Sequence, residues 1–389
     1  MNTEKTVDSI PIDLFHEIFS RLPARLVGRC RCVSKQWAFL LERQDFMELF
    51  LTRSSTRPRH LWIKKEDNDE WLFYSSPQTQ KSTEVAAELY TKFLGSKRDR
   101  YICYASGLVY FSDVRISKDK GKDSTPVICN PLTGRYAILP KLILPNMKRN
   151  KEPTSYFGFD PIDKKFKVLL INYSVYNETV YHILTLGRKI GIGKMRWRKI
   201  QCPFTHEPKP SCKGICINGV LFYSAHTDDG TSDVIVCFDM RSEKFKFIVK
   251  EIIYSKLINY KGKLGAITLK YEYDTPRGTK WLTCELHIWV LEDVDKEEWT
   301  KYVYPLPKTR NRRLFSVVGM TASCEIALLE CSSTYLNPNV FYFNPERKSL
   351  HRVKIRGVGA ESGKVYAFAD HVEDLGVNDK HLKSSIYES

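Results

Sequence analysis

Up to about residue 54 the apolar positions of this chain recur at the helical period, and beyond Pro77 they fall into short runs of strand character. Leu14, Phe15, Ile18, Phe19 and Leu22 repeat at i, i+1, i+4, i+5 and i+8, which predicts a first helix with a wide apolar stripe. Pro11 fits its first turn, Asp13 suits the positive end of its dipole, and Pro23 ends it because proline has no N–H to donate. Leu26, Val27 and Cys30 mark a second short helix. Ser34 is placed to cap a third, on which Trp37, Leu40 and Leu41 share a face. Asp45 and Glu48 form a capping-box-like start to a fourth, which should run to about Thr52. Three short helices within 10–41 cannot bury their own apolar surface, so the segment is expected to be completed by another protein.

Beyond Pro77 the spacing predicts one more short helix, over 83–94 (TEVAAELYTKFL), and from residue 101 onward an all-β array with Gly, Asn, Asp and Pro at the turns. A repeat emerges, each unit reading as an inner strand followed by a strand, a polar turn and a second strand. Its copies are GLVYF with VICNPLTGRYAIL, FKVLLI with HILTLGRKIGIGKMRWRKI, GVLFY with VIVCFDMRSEKFKFI, LGAITL with LHIWVLEDVDKEEWTKYV, and EIALLE with VFYFNPERKSLHRV. With turns at Asn130, Gly187, Asp239, Asp295 and Asn344, the spacings are 57, 52, 56 and 49 residues. A period of about 50 residues is that of kelch-like propeller blades, and an open array would expose sheet edges, so a closed ring is expected. The copies span 101–354 and leave HLWI with EWLFY (60–74) and KVYAFAD (364–370) outside. These two ends are expected to share a sixth, composite blade in which 365–369 pairs with strands from 62–74; an open β-sandwich and a five-bladed ring are the alternatives. The predicted organisation is a helical module over 5–54, a linker with the first strands and a short helix over 55–100, a β-propeller over 101–375 and a tail over 376–389.

The order Ile-Pro-x-Asp-Leu, Glu-Ile, Arg-Leu-Pro and Arg-Cys-Val-Ser-Lys-x-Trp in the helical module resembles the F-box. The following DFMELFLTRSSTRPRHLWI is similar to the junction in a large plant family of F-box proteins carrying a type 3, kelch-like F-box-associated domain. The resemblance implies docking on a Skp-family adaptor and, through it, on the cullin of an SCF ubiquitin ligase. Carried over by position, the contact surface is Pro11, Leu14, Ile18, Leu22, Pro23, Val27, Val33, Trp37 and Leu40. Two positions depart from the family pattern: Leu26 replaces a serine expected to cap the second helix, and Cys30 replaces a phenylalanine that would bury more area. The resemblance also implies that the β-domain recruits a protein substrate, whose identity it does not name. Propellers bind through loops on one rim, which makes 187–196, the Asp228-Asp229-Gly230 turn and 269–281 the candidates.

Composition adds a rival and removes several. The net charge of +16, with basic clusters at 148–151 (KRNK), 194–199 (KMRWRK) and 308–313 (KTRNRR), admits a nucleic-acid-binding or scaffold propeller whose F-box serves only its own turnover. No cluster is joined to a recognition helix, a zinc pattern or an aromatic RNA-binding motif, so a solvated basic surface is the favoured reading of them. The N-terminus lacks the apolar core of a signal peptide and no run approaches the roughly 20 apolar residues of a membrane helix. An intracellular protein of nucleus or cytoplasm with no membrane partner is expected. Eleven cysteines, among them Cys129, Cys237 and Cys331, read as buried small hydrophobes in a reducing compartment.

Catalytic patterns fail on their spacing. GRKIGIGK lacks the Gly-Lys-Ser/Thr of a phosphate loop, and Glu66-Asp67-Asn68-Asp69-Glu70 lacks the glycine and final glutamate of a calcium loop and reads as a hairpin turn. Cys212, Cys216, His206 and His226 do not pair as zinc ligands, and no nucleophile elbow is present. The expectation is an interaction protein without catalytic residues, cofactor or metal.

Overall fold

Proline decides where the first two helices begin. In the computed structural model, Pro11 and Pro23 stand immediately before α1 (Ile12–Phe19) and α2 (Ala24–Arg31), and their carbonyls accept the Phe15 and Leu26 N–H groups at 3.0 and 2.9 Å. The structure describes residues 11–375 apart from 80–81, 96–101, 115–123, 143–151, 176–177, 188–194, 210–212, 228–229, 231, 250–254, 275–280, 310–313, 332–336 and 360–363. Leu26 is therefore the third residue inside α2 and not a capping position. Ser34 caps α3 (Lys35–Leu41), accepting the Trp37 N–H at 3.1 Å. The last helix, α4 (Gln44–Ser55), starts before Asp45, which sits in its first turn bound to Arg43 instead of capping it, and it runs beyond Thr52.

The remaining strands form six sheets arranged as blades, the six-bladed ring being one of the architectures expected. The chain enters through β1 (Arg59–Lys65) and β2 (Glu70–Pro77), joined by a turn at the acidic run, followed by β3 (Glu84–Ala86) and β4 (Glu88–Leu94). The helix expected over 83–94 is thus two strands. Pairing of β4 with β2 supplies its backbone hydrogen bonds, and Phe93 is fully buried with its ring 5.6 Å from that of Phe111. Tertiary contacts outweigh the local helical spacing there.

The second blade is β5 (Ile102–Ala105), β6 (Leu108–Val114), β7 (Thr125–Cys129) and β8 (Tyr136–Ile138). The third is β9 (Thr154–Asp160), β10 (Lys165–Tyr173), β11 (Thr179–Leu186) and β12 (Trp197–Ile200). In the fourth, β13 (His206–Pro208) and β14 (Ile215–Ile217) share the inner edge of β15 (Val220–Thr227), with β16 (Asp233–Asp239) and β17 (Phe245–Val249) outside. The fifth is β18 (Lys256–Tyr260), β19 (Lys263–Asp274), β20 (Trp281–Asp293) and β21 (Glu298–Thr309). The sixth is β22 (Leu314–Met320), β23 (Ile326–Cys331), β24 (Asn339–Asn344) and β25 (Ser349–Arg356), to whose outer edge β3 adds in parallel.

The repeat read from sequence catches the last three strands of each blade and misses the first. GLVYF, FKVLLI, GVLFY, LGAITL and EIALLE are second strands, and the innermost strands, such as KLINY and ICI, are too short to show a period of their own. A common turn chemistry underlies the spacing. In the third-to-fourth-strand turns Asn130, Asp239, Asp293 and Asn344 each accept backbone N–H groups from the residues just after them, and the residue four places on is left-handed in each case; Asp160 makes the same turn between the first and second strands of the third blade. In the fifth blade the turn residue is accordingly Asp293, not Asp295.

The last strand, β26 (Val365–His371), closes the ring by pairing antiparallel with β1, Val365 opposite Lys64 and Phe368 opposite Leu61. The composite blade β26-β1-β2-β4 is the one expected from the two unmatched ends. Buried His–Tyr hydrogen bonds fasten it on both sides: His60 Nε2 to the Tyr342 hydroxyl of the sixth blade at 2.7 Å, and His371 Nδ1 to the Tyr104 hydroxyl of the second at 2.9 Å. Six hydrophobic cores lie one at each joint between successive blades. Cys129 and Cys237 are buried in these joints, whereas Cys331, at the end of β23, is exposed. Among the described residues no helix is long and apolar enough to cross a membrane.

Two outcomes follow from these contacts. Asn344→Ala removes two turn hydrogen bonds and should lower stability by about 1–2 kcal/mol in denaturant melts. Burial pushes the His60 and His371 imidazoles down from 6.5 to about 4 and about 3, so the unfolded chain binds more protons than the folded chain below pH 6.5. Stability should be full above that pH and fall as pH drops toward 4, by up to about 1.4 kcal/mol per pH unit for each group. His60→Gln should flatten this fall in urea titrations between pH 6.5 and 4.5; an unaltered slope would refute the assignment.

Candidate interaction face and its anchorage

The apolar stripe of α1 is split by the fold. Phe15 is buried and Phe19 half-buried, and Trp37 packs edge-on against both rings at 5.5 and 4.8 Å. Leu14 and Ile18, one turn apart on the adjoining face, are each 53% exposed. The internal core is small: Phe15, Ala24, Val27, Leu41, Phe46 and Phe50, flanked by Leu22, Cys30, Trp37 and Leu40.

Of the nine residues assigned by resemblance, Pro11, Leu14, Ile18 and Val33 are open, while Leu22, Pro23, Trp37 and Leu40 are half-buried at the edge of the core. Val27 is fully buried and supports the face from behind, so it is corrected from a contact to a core residue. The structure adds Ile12, Leu26 and Phe39 to the exposed set, Phe39 being 68% exposed. Six of the thirteen large apolar side chains that stand exposed among the described residues therefore belong to this one helical module. Phe39 is legible in the sequence as an aromatic residue off the Trp37, Leu40, Leu41 face, and Leu26 as an apolar position of the second helix whose exposure the spacing does not show.

Polar contacts hold the helices in place. The Glu17 carboxylate lies between Arg21 and Arg53, which lower its pKa by hydrogen bonding, and Arg53 also donates to the Glu17 carbonyl at 2.9 Å. Arg57 donates to the Ser20 carbonyl at 3.0 Å. The N-terminus of α2 has no cap of its own, and the cap comes from 349 residues away: the Glu373 carboxylate accepts the Ala24 N–H at 3.2 Å. The same carboxylate accepts the Tyr90 hydroxyl of β4, and the Glu373 N–H donates to Ser54 Oγ of α4 at 2.9 Å. Leu132, from the β7–β8 turn, and Leu375 complete the docking of the helical module on the ring.

Antiparallel order fixes which rim this is. Turns joining first to second and third to fourth strands lie on one rim, where α4 enters β1 and where Leu132 and Glu373 sit. The strand ends flanking 187–196 (β11 to β12) share that rim, whereas those flanking 228–230 (β15 to β16) and 275–280 (β19 to β20) are on the opposite one. The three loop candidates are thus not together, and most of their residues lie outside the described ones. Of the basic clusters, 148–151 and 310–313 also lie outside, and in 194–199 Arg198 is paired with Glu243 while Trp197 packs into a blade joint. Among the described residues no three His, Cys, Asp or Glu side chains group to hold a metal.

Comparison with known proteins agrees with both halves. Residues 7–49 match the F-box domain model and residues 60–372 the model described as F-box associated beta propeller domain. Three Arabidopsis thaliana proteins are similar along nearly the whole chain. Putative F-box protein At1g33020 is 49% identical over 96% of this chain and 67% of its own length. Putative F-box protein At1g30930 is 47% identical over 97% of both, and F-box only protein 12 is 44% identical over 97% of this chain and 85% of its own.

Removing the borrowed cap should loosen the docking. Glu373→Ala is expected to cost about 1–2 kcal/mol and to speed hydrogen exchange of the first-turn amides of α2, while exchange in β6 and β10 stays slow. Equal speeding in all three elements would mean that Glu373 supports the ring instead of the joint.

Proposed function

The chain belongs to the F-box proteins that carry an F-box-associated β-propeller, and we propose that it is the substrate-recruiting subunit of an SCF-type ubiquitin ligase. The observation that carries this is the exposed apolar set of the helical module, above all Leu14 and Ile18 on α1. A helix whose inner half is covered by its own core and whose outer half is left bare is built for a second protein. The family supplies the chemistry of that protein, a Skp-family adaptor linked to a cullin. The propeller then carries the target protein on its loops.

The chain contributes no reaction in this scheme. Its work is to hold a target lysine near a conjugating enzyme, which replaces a bimolecular encounter by a local one. That function needs a stiff joint between the two binding regions, and the burial of Leu132 and Leu375 against the helical core together with the Glu373 contacts supports one.

The test is co-purification of the full chain with a Skp-family adaptor. Leu14→Arg combined with Ile18→Arg should reduce adaptor recovery at least a hundredfold, since two apolar contacts are lost and two charges are set against an apolar groove. Both sites are exposed, so the melting temperature of the chain should change by little. Equal recovery with wild type and variant would overturn the proposal.

A further inference from the structure

The innermost strands β5, β14, β18, β22 and β26 line a central channel of about 550 Å³. Its charge is lopsided. Lys256 opens β18, Lys213 stands two residues before β14, and Lys364 immediately precedes β26, so three ammonium groups lie toward the rim at which the inner strands start. Asp370 is the sole carboxylate among the described lining residues. It lies six residues beyond Lys364 along β26, about 20 Å away, and already accepts the Ala322 N–H at 2.9 Å.

The three cations are held in place by neutral groups. Lys213 Nζ and Lys364 Nζ lie 4.6 and 5.4 Å from the centre of the Tyr366 ring, which places them within about 10 Å of one another, near one screening length at physiological salt. Lys256 reaches from the fifth blade to the sixth and donates to the carbonyls of Val317 and Val318, the latter at 3.1 Å. Ring faces and carbonyls orient an ammonium without neutralising it. Enclosure by the channel walls, and then repulsion from Lys213, push the Lys256 amine down to about 8; enclosure lowers Lys213 also, and Lys364 adds to it. Among the described residues the folded ring therefore keeps a cluster of like charges whose repulsion a bound anion would relieve.

We propose that this end of the channel is a binding site for a compact phosphate-bearing anion, with Lys213, Lys256 and Lys364 as its charge partners. The multiple charge of a phosphoryl group matches three converging ammonium groups, whereas a single carboxylate would satisfy one. The volume suits a small molecule or one phosphorylated side chain. The three lysines lie toward the rim away from the helical module, so the site and the α1 face are on different sides of the ring.

Calorimetry on the full chain at pH 8 and 150 mM salt tests this with two probes, tripolyphosphate and a phosphoserine heptapeptide, each compared with its unphosphorylated or sulfate-free buffer blank. Binding of either probe is expected, with affinity at least tenfold weaker in Lys213→Gln and in Lys364→Gln. Neither substitution should shift the unliganded melting temperature downward, because neither side chain belongs to a hydrophobic core of the ring. Binding should be accompanied by proton uptake, seen as a heat that changes with the ionisation enthalpy of the buffer, because an anion raises the Lys256 pKa. Tripolyphosphate binding assigns the site to a free small molecule, and phosphopeptide binding alone assigns it to a phosphorylated protein chain. No binding of either probe, or equal affinity in wild type and variants, would overturn the proposal.

Discussion

The pairing of β26 with β1 is the contact on which the rest of the molecule depends. Each blade buries its two faces only against neighbours, so a ring lacking one joint exposes two hydrophobic faces at once. The joint is made by the two ends of the β-domain, which are some three hundred residues apart, and the entropy of bringing them together is recovered only when all six blades are in place. The buried imidazoles of His60 and His371 bind this composite blade to the blades on either side.

Closure also decides where the helical module sits. Glu373 follows two residues after β26, and only when that strand is seated does its carboxylate reach the bare N-terminus of α2 and the hydroxyl of Tyr90. The absence of an internal cap on α2 and the presence of a buried acid at the chain's far end are thus two halves of one contact. Ring integrity and orientation of the α1 face are coupled through it, without any covalent or metal link among the described residues.

The two ends of the channel differ for the same topological reason. Inner strands run in one sense around the ring, so residues at their starts collect on one rim and residues at their ends on the other. Lys256 and Lys364 fall at starts, while Asp370 falls near the end of β26, where it accepts the Ala322 N–H. Within a chain of net charge +16, three of the cations are thus gathered toward one end of the channel.

Much of this was legible in the residues themselves. Apolar spacing, Pro11, Pro23 and Ser34 fixed the first three helices, and Asx turns such as Asp239 and Asn344 marked the blades, because each depends on contacts within a few residues. The six-fold count and the composite blade followed from two unmatched ends and the cost of an open edge. What local sequence could not decide were features set by distant partners. Residues 83–94 become strands because β2 and Phe111 receive them, Val27 is core and Phe39 open because the helices pack one way around Trp37, and α2 is capped by a glutamate 349 residues off. The lysines of the channel are scattered by about 150 residues in sequence and meet only because inner strands converge on one axis. Periodicity encodes which face of an element is apolar; which of those faces is covered, and by what, is settled only when the ring closes.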